Sequence, residues 1–305
     1  MKLYWMLAIT RGMPSPNPAL VEVFDLLRQR GYEVEIGIGD EAVLDPDHLR
    51  VEHDLYILKS HTSLWLSVAS ILHRQGALIL NPYRSCLAVQ DKIAAAHSLR
   101  EAGVPSPPYW VTVNTRLLHT LLELHPLVIK PYIGGRGIGV QVIRHHHELS
   151  ALPPPAQPML VQEYIAGDEL KIYVVGDEVF GLRKPDGVTR VATPVSAEIR
   201  SIALRCGHIF GLGLYGLDVI KSAQGPVVID VNYFPSYKGI PGAARHVANY
   251  IENYARGDTL LGKDADAVAH GLLGASPAET WPPYATYPLA PLHDLMEQHE
   301  SEWDA

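Results

Sequence analysis

Over the first 80 residues, short apolar runs alternate with stretches whose apolar residues recur at helical spacing. KLYWMLAI, YEVEIGI, DLYILK and ALIL read as strands, and PALVEVFDLLRQRG and SLWLSVASILHRQG read as helices. Strand and helix in repetition predict a small parallel α/β unit. Gly31 and Gly76 fall where helix C-termini favour a left-handed residue. The Pro-rich RGMPSPNP follows the first strand, at the carboxyl end where open parallel sheets take their ligands.

Farther along, CLAVQDKIAAAHSLREAG predicts one helix over 86–103, stopped by VPSPP. WVTV, a helical LLHTLLEL and LVIKPYIGGRGIGVQVI then make a small β-rich lobe that closes at PPPAQP. A hairpin turning at Gly176-Asp177, a helix SAEIRSIALRCGHIFGLG, a second hairpin and a final helix PGAARHVANYIENYARG complete the pattern. The expected organisation is an α/β unit over 1–85, a β-rich lobe over 86–160, a second over 161–257, and a Pro-containing tail over 258–305 that is loosely ordered or draped on the surface.

The richest chemistry lies in VVIDVNYFPSYKG. Residues two apart on a strand share a face, so Asp230 and Asn232 can reach one cation, and hard oxygen donors suit Mg²⁺ better than zinc. A hairpin centred near Gln224 places Asp218 of LYGLDVI opposite Asp230. A half-buried hairpin with acids facing water fits this segment alone equally well. KPYIGGRGIGV presents Gly134, Gly135, Gly137 and Gly139 between two apolar runs, either a tight turn or a loop whose N–H groups cradle phosphate. Lys130 ends the buried strand before it and wants an anion. QEYI, Gln162 to Ile165 with Glu163 and Tyr164, reads as a surface turn or as a hinge able to bind an adenine edge. In the hairpin at Gly176-Asp177, Glu169, Lys171 and Lys184 share one face, on the side where a triphosphate could lie, and Arg183 takes the other.

Twenty-five Lys and Arg against 33 Asp and Glu leave a net charge of −8, which argues against general nucleic-acid binding and against an anionic membrane surface. The two cysteines, Cys86 and Cys206, form no CxxC pair, and the N-terminal apolar run is too short for a secretory signal; both point to the cytoplasm. His145, His146 and His147 are adjacent, so their side chains diverge, and a solvated turn is expected there in preference to a metal site.

In this order, NPYRSCLAVQDKIAAAHSLREAGVPSPP, LVIKPYIGGRGIGV, MLVQEYIAGDELKIYVVGD, GLDVI and VVIDVNYFPSYKG resemble the ATP-grasp superfamily over about residues 81–256. The resemblance implies an ATP-grasp fold of mixed α/β and α+β class, with an N-terminal parallel α/β domain followed by two β-rich lobes gripping ATP. It implies Lys92 and Lys130 on the ATP phosphates, Gly134 to Gly139 as the flexible loop over them, Gln162, Glu163, Tyr164 and Ile165 around adenine, and Glu169 on the ribose. Asp218, Asp230 and Asn232 would carry Mg²⁺, with two ions expected and Mn²⁺ able to substitute. Lys171, Lys184 and Arg183 would serve catalysis, and Arg11, Lys59, Ser236 and Lys238 the substrate, with His61 nearby on the same side.

Within the superfamily, DKIAAAHSLREAGVPSPP and GGRGIGV resemble the RimK-like ligases, which join a small-molecule or peptide carboxylate to an amine through an acyl phosphate and often self-associate. KIYVVGD and DVNYFPSYKG also resemble inositol polyphosphate kinases, and a noncatalytic nucleotide-binding relative is a third reading. Two departures stand out. The family more often has Glu where Asp230 stands, and the ligases usually read NxxPG where this chain carries Ser236 in place of the glycine.

Overall fold

The computed structural model describes residues 1–8, 17–134, 137–184 and 190–259. Arg11, Gly135 and the tail from 260 onward lie outside the described residues. The first sheet has the order β2-β1-β3-β4, with β1 at Lys2–Leu7, β2 at Glu33–Ile38, β3 at Leu55–Leu58 and β4 at Ile79–Leu80. Its pairs are all parallel, as the alternating pattern predicts. Helices α1, Pro18–Gln29, and α2, Ser63–Arg74, connect its strands. Asn17 caps α1 by accepting from the Leu20 N–H at 3.2 Å, ahead of a proline that needs no amide partner.

The single helix expected over 86–103 is two helices: α3, Tyr83–Gln90, and α4, Lys92–Glu101. The break is at Asp91, whose backbone is extended and whose Oδ1 accepts from the N–H groups of Ile93 (2.9 Å) and Ala94 (3.0 Å). An aspartate that satisfies two amides as an N-cap competes with continuing the helix through it. Lys92 consequently opens a helix instead of lying within one, and its own N–H donates to the Tyr132 carbonyl at 2.9 Å.

The second sheet has the order β5-β8-β6-β7, with β5 at Tyr109–Thr112, β6 at Leu127–Pro131, β7 at Gln141–Ile143 and β8 at Met159–Glu163. Helices α5, His119–Leu124, and α6, His146–Ser150, cover one face. Leu118, Leu122, Leu127, Ile129, Leu149 and Val161 are buried there in a small core of their own. Because β8 runs through residue 160, this sheet continues past the boundary drawn from the sequence.

The third sheet has the order β11-β10-β9-β12-β13: β9 at Asp168–Val175, β10 at Glu178–Arg183, β11 at Val191–Thr193, β12 at Leu214–Ser222 and β13 at Gly225–Tyr233. Its helices are α7, Ala197–Phe210, capped by Ser196 and ended by Gly211 at φ 62°, and α8, Ala243–Arg256. One continuous core joins the first and third sheets, with Trp5 of β1 edge-on to Phe234, just past β13, at 5.7 Å. Buried Asn81, just past β4, fastens them further. Its Oδ1 accepts from the N–H groups of Gly213 and Leu214, each at 2.9 Å, and its Nδ2 donates to the Leu214 carbonyl at 2.7 Å. Among the described residues, no helix is long and apolar enough to cross a membrane.

Candidate active site

Four strands of the third sheet line up the central row. Leu182, Lys171, Asp218 and Asp230 stand opposite one another across β10, β9, β12 and β13, so their side chains share a face. The parallel row one step on holds Phe180, Tyr173, Gly216 and Asn232. Gly216 is the small member opposite Asn232, where a Cβ would press to 3.4 Å on both Tyr173 and Pro235.

A β-bulge decides which face carries Asp230. From the turn outward, Ser222 pairs with Gly225 and Val219 with Val228, but Asp218 pairs with Asp230, leaving Ile229 as the extra residue. Continued without the bulge, the same register would set Asp230 beside Leu217 on the buried side of the sheet. The inserted residue also leaves its carbonyl off the regular ladder, and that carbonyl accepts from Lys130 Nζ at 2.9 Å. Lys130, on β6, thereby reaches from the second sheet to the third.

Lysines surround the two carboxylates. Lys92 Nζ lies 2.6 Å from Asp230 Oδ1, Lys171 Nζ lies 2.6 Å from Asp218 Oδ1, and Asn232 Nδ2 donates to Asp230 Oδ2 at 3.0 Å. Glu169 is 3.4 Å from Lys171. Burial works to raise Asp230, but Lys92 and Lys130 outweigh it and hold its carboxyl below the usual range. Asp218 moves up, through burial first and the neighbouring Asp230 charge as well, despite Lys171. Burial acts to lower Lys171, yet Asp218 prevails and raises it, whereas Lys130 is lowered by burial.

These residues fit a magnesium–nucleotide site. Among the described residues, no group of three or more His, Cys, Asp or Glu could hold a metal. Two carboxylates and an amide are a sparse hard-oxygen set, which suits Mg²⁺ because that ion keeps water and phosphate oxygens in its shell. Three lysines beside them match a polyphosphate. His145, His146 and His147 are exposed, with His119 and His146 in contact through Nδ1 at 2.8 Å.

The other candidates are distributed as follows. Lys130 and buried Gln162 project from the same face of the second sheet, opposite its core. Glu163 lies 3.9 Å from His125, Tyr164 lies under the Arg144 guanidinium at 4.4 Å, and Ile165 is half-buried. The Glu163 and Tyr164 N–H groups donate to the carbonyls of Pro108 and Pro126. Gly134, Gly137 and Gly139 are exposed between β6 and β7. Gly139 has φ 75°, and a Cβ there would come within 2.8 Å of Pro131. Lys184 is exposed just past β10; Arg183 pairs with Leu170, projects from the face opposite Lys171 and does not join the row. Lys59 stands over the Phe234 ring, Ser236 borders a small apolar hollow against α1 and α8, and Lys238 is exposed.

Sequence reasoning missed Tyr173 and Arg190, whose Nη1 is 3.5 Å from the Tyr173 hydroxyl on the metal-bearing face. The alternation of β9 carries Tyr173 to the same face as Lys171, which was the available signal. Nothing local marks Arg190. Asp91 is the remaining addition, since it places Lys92. Asp91→Ala is expected to cost about 1 kcal/mol through the lost cap and to raise the KM for ATP several-fold with a smaller change in kcat. Thermal unfolding and steady-state kinetics check this, and an unchanged KM would detach Lys92 placement from the cap.

Three sheets, with lysines and paired carboxylates where the second and third approach, define an ATP-grasp protein. The chain belongs to the RimK-like ATP-grasp family: the model of the RimK-like ATP-grasp domain matches residues 89–251, more than half its length. It is a carboxylate–amine ligase that forms C–N bonds, which selects among the readings left open by the sequence, and its family uses ATP and Mg²⁺. A curated relative from Shewanella sp. (strain MR-4), "Probable alpha-L-glutamate ligase 2", is 28% identical over 211 residues, covering 62% of this chain and 71% of the relative. The RimK domain ATP-grasp protein from Sphaerobacter thermophilus DSM 20745 superposes with a TM-score of 0.71 at 18% identity, over 83% of this chain and 98% of that one. The ATP-grasp ligase PsnB, solved with a minimal precursor, Mg and ADP, gives a TM-score of 0.57 at 18% identity over 89% and 98%.

Proposed function

We propose that this ligase activates the carboxylate of a small molecule or peptide as an acyl phosphate and captures it with the amine of an acidic amino acid. The row Lys171–Asp218–Asp230 with Lys92 at its end carries the reading, because it sets matched cations and metal ligands side by side. Lys92 and Lys130 hold the phosphates under the loop of Gly134, Gly137 and Gly139. Gln162, Glu163, Tyr164 and Ile165 border adenine, and Glu169 takes the ribose. Asp218, Asp230 and Asn232 hold two Mg²⁺ ions, which supply charge neutralisation to the transferring phosphoryl group. Buried, free Cys86 and Cys206 are consistent with a reducing, cytoplasmic setting.

In the first step a carboxylate oxygen bonds to the γ-phosphorus as the bond to ADP breaks. Lys171, and Arg190 beside Tyr173, lie on the face where they can balance the charge that spreads during transfer. In the second, the amine nitrogen attacks the acyl carbon, phosphate leaves with the electron pair of the broken C–O bond, and the surplus amine proton is released. The relatives named as glutamate ligases support an acidic amine substrate. The test incubates the protein with Mg·ATP, pooled carboxylates and hydroxylamine, then repeats with L-glutamate. Hydroxamate that requires both ATP and a carboxylate is the expected result; ATP consumed without hydroxamate or amide product in any pool removes the proposal.

A further inference from the structure

The charged groups of the site are matched in contact pairs. Lys92 Nζ donates to Asp230 Oδ1 at 2.6 Å, and Lys171 Nζ donates to Asp218 Oδ1 at 2.6 Å. Asn232 Nδ2 donates to the other Asp230 oxygen at 3.0 Å, and Glu169 stands 3.4 Å from Lys171. The three side chains proposed to hold Mg²⁺ are thus engaged with one another or with a lysine. Lys130 differs, since its Nζ donates to the neutral Ile229 carbonyl at 2.9 Å.

Both pairs are partly shielded. The Lys92 side chain is nearly buried, and those of Asp230, Lys171 and Asp218 each keep about a quarter of their surface, so water screens the attraction only in part. Asp218 and Asp230 stand opposite each other across the bulged hairpin, so two cations flank two adjoining carboxylates. A dication arriving alone would compete with an ammonium for each carboxylate. A polyphosphate arriving alone would meet lysines already neutralised and two carboxylates of its own sign. When metal and phosphate arrive joined, the lysines can pass to phosphate oxygens and the carboxylates to the metal, and every charge keeps an opposite neighbour.

We propose that the Lys92–Asp230 and Lys171–Asp218 pairs make the site selective for the metal–nucleotide complex over either component alone. This rests on the magnesium–nucleotide reading above. The effect is reciprocal by linkage: the factor by which metal tightens nucleotide is the factor by which nucleotide tightens metal. Removing one lysine leaves a carboxylate uncompensated, which attracts a cation, so a change that harms nucleotide binding improves the binding of bare metal. Removing one carboxylate charge releases a lysine to phosphate, so a change that harms the metal site improves the binding of bare nucleotide. Ion pairs that only brace the fold produce neither gain.

The test titrates Mn²⁺ without nucleotide by electron paramagnetic resonance, and ADP by calorimetry in EDTA and again in Mg²⁺. Lys92→Met and Lys171→Met are each expected to tighten Mn²⁺ about 5-fold or more, the lower end of ordinary coupling between sites, while weakening ADP in Mg²⁺. Asp230→Asn should tighten ADP in EDTA about 5-fold or more and weaken it in Mg²⁺. Lys130→Met removes a neighbouring charge without breaking a carboxylate pair, so its effect on Mn²⁺ should be the smallest of the three lysine variants. A cooperative melting transition verifies that each variant is folded, and Asp230→Asn reads the exchange from the anionic side if a lysine variant is not. Mn²⁺ bound no more tightly by Lys92→Met and Lys171→Met than by the parent, ADP in EDTA bound no more tightly by Asp230→Asn, or an equal gain in Lys130→Met overturns the proposal. A parent that fails to bind ADP in Mg²⁺ removes the nucleotide reading itself, whereas ADP bound in Mg²⁺ with no gain in the variants removes only the selectivity.

Discussion

Asp230→Asn is expected to lower turnover by about 10²–10³-fold, the loss typical when one electrostatic stabiliser of a transition state is removed. The change keeps the side-chain shape and leaves an oxygen to accept from Lys92, so the effect isolates the charge. It should also reduce stability. Lys92 is nearly buried while Asp230 keeps about a quarter of its surface, 9% and 23% respectively. The cost therefore falls between the ~1 kcal/mol of an exposed pair and the ~3–5 kcal/mol of breaking a buried one. Because Asp230 is held below the usual carboxylate range, its contribution is present above the unfolded-state value and is lost as pH falls through the lower folded one. The acid limb of the stability profile should accordingly flatten in the variant. ADP release in Mg²⁺ buffer and melting curves across acid pH measure both effects. A rate equal to the parent's would remove Asp230 from the metal site.

Lys130→Met should raise the KM for ATP by about 10- to 100-fold, matching ~1.5–3 kcal/mol for a hydrogen bond to a charged group, with little loss of stability. Methionine fills the space of the stem, and the charge it removes is costly to bury: Lys130 is 6% exposed and donates to the Ile229 carbonyl. The pH dependence has opposite signs for the two properties. Burial lowers the folded-state pKa of this lysine below its unfolded value, so between the two the unfolded chain binds more protons and stability rises with pH. Across the same window the ammonium is lost and ATP affinity falls. Urea unfolding and ATP titration from neutral pH toward the ordinary lysine range should show both trends in the parent and neither in the variant. If ATP affinity is unaltered by the substitution, Lys130 is a structural strand end.

Much of the architecture was legible because it rests on periodicity. The parallel first sheet, the left-handed Gly31 and Gly76 after α1 and α2, and the hairpin at Gly176-Asp177 with Lys171 opposite Leu182 all follow from local pattern. The helix break at Asp91 was not, since the apolar spacing runs through it and only the competition for two amides ends α3. Asp218 was expected opposite Asp230 from a turn centred near Gln224. The pairing is present, yet it arises from a turn at Ala223-Gln224 combined with the bulge at Ile229. A bulge leaves no compositional mark in VVIDVN, so sequence reading could name the partners without the reason they meet. Tyr173 and Arg190 converge only through the tertiary arrangement, and the left-handed Phe234 and Tyr237 contradict the glycine preference that local rules would apply.

Ile229 has a further meaning for anyone altering this chain. It works as a phase slip: the residues on its turn side and those on its far side obey two different alternations, and one inserted position separates them. Deleting Ile229 would leave every proposed metal ligand in the sequence and keep Asp230 opposite Asp218, yet remove the carbonyl that holds Lys130, whereas pairing Ile229 itself with Asp218 would carry Asp230 toward the oily layer. The hairpin from β12 through β13 is therefore a single cassette, to be transplanted between relatives whole, because a splice within it can keep all the chemistry in the text and lose it in space.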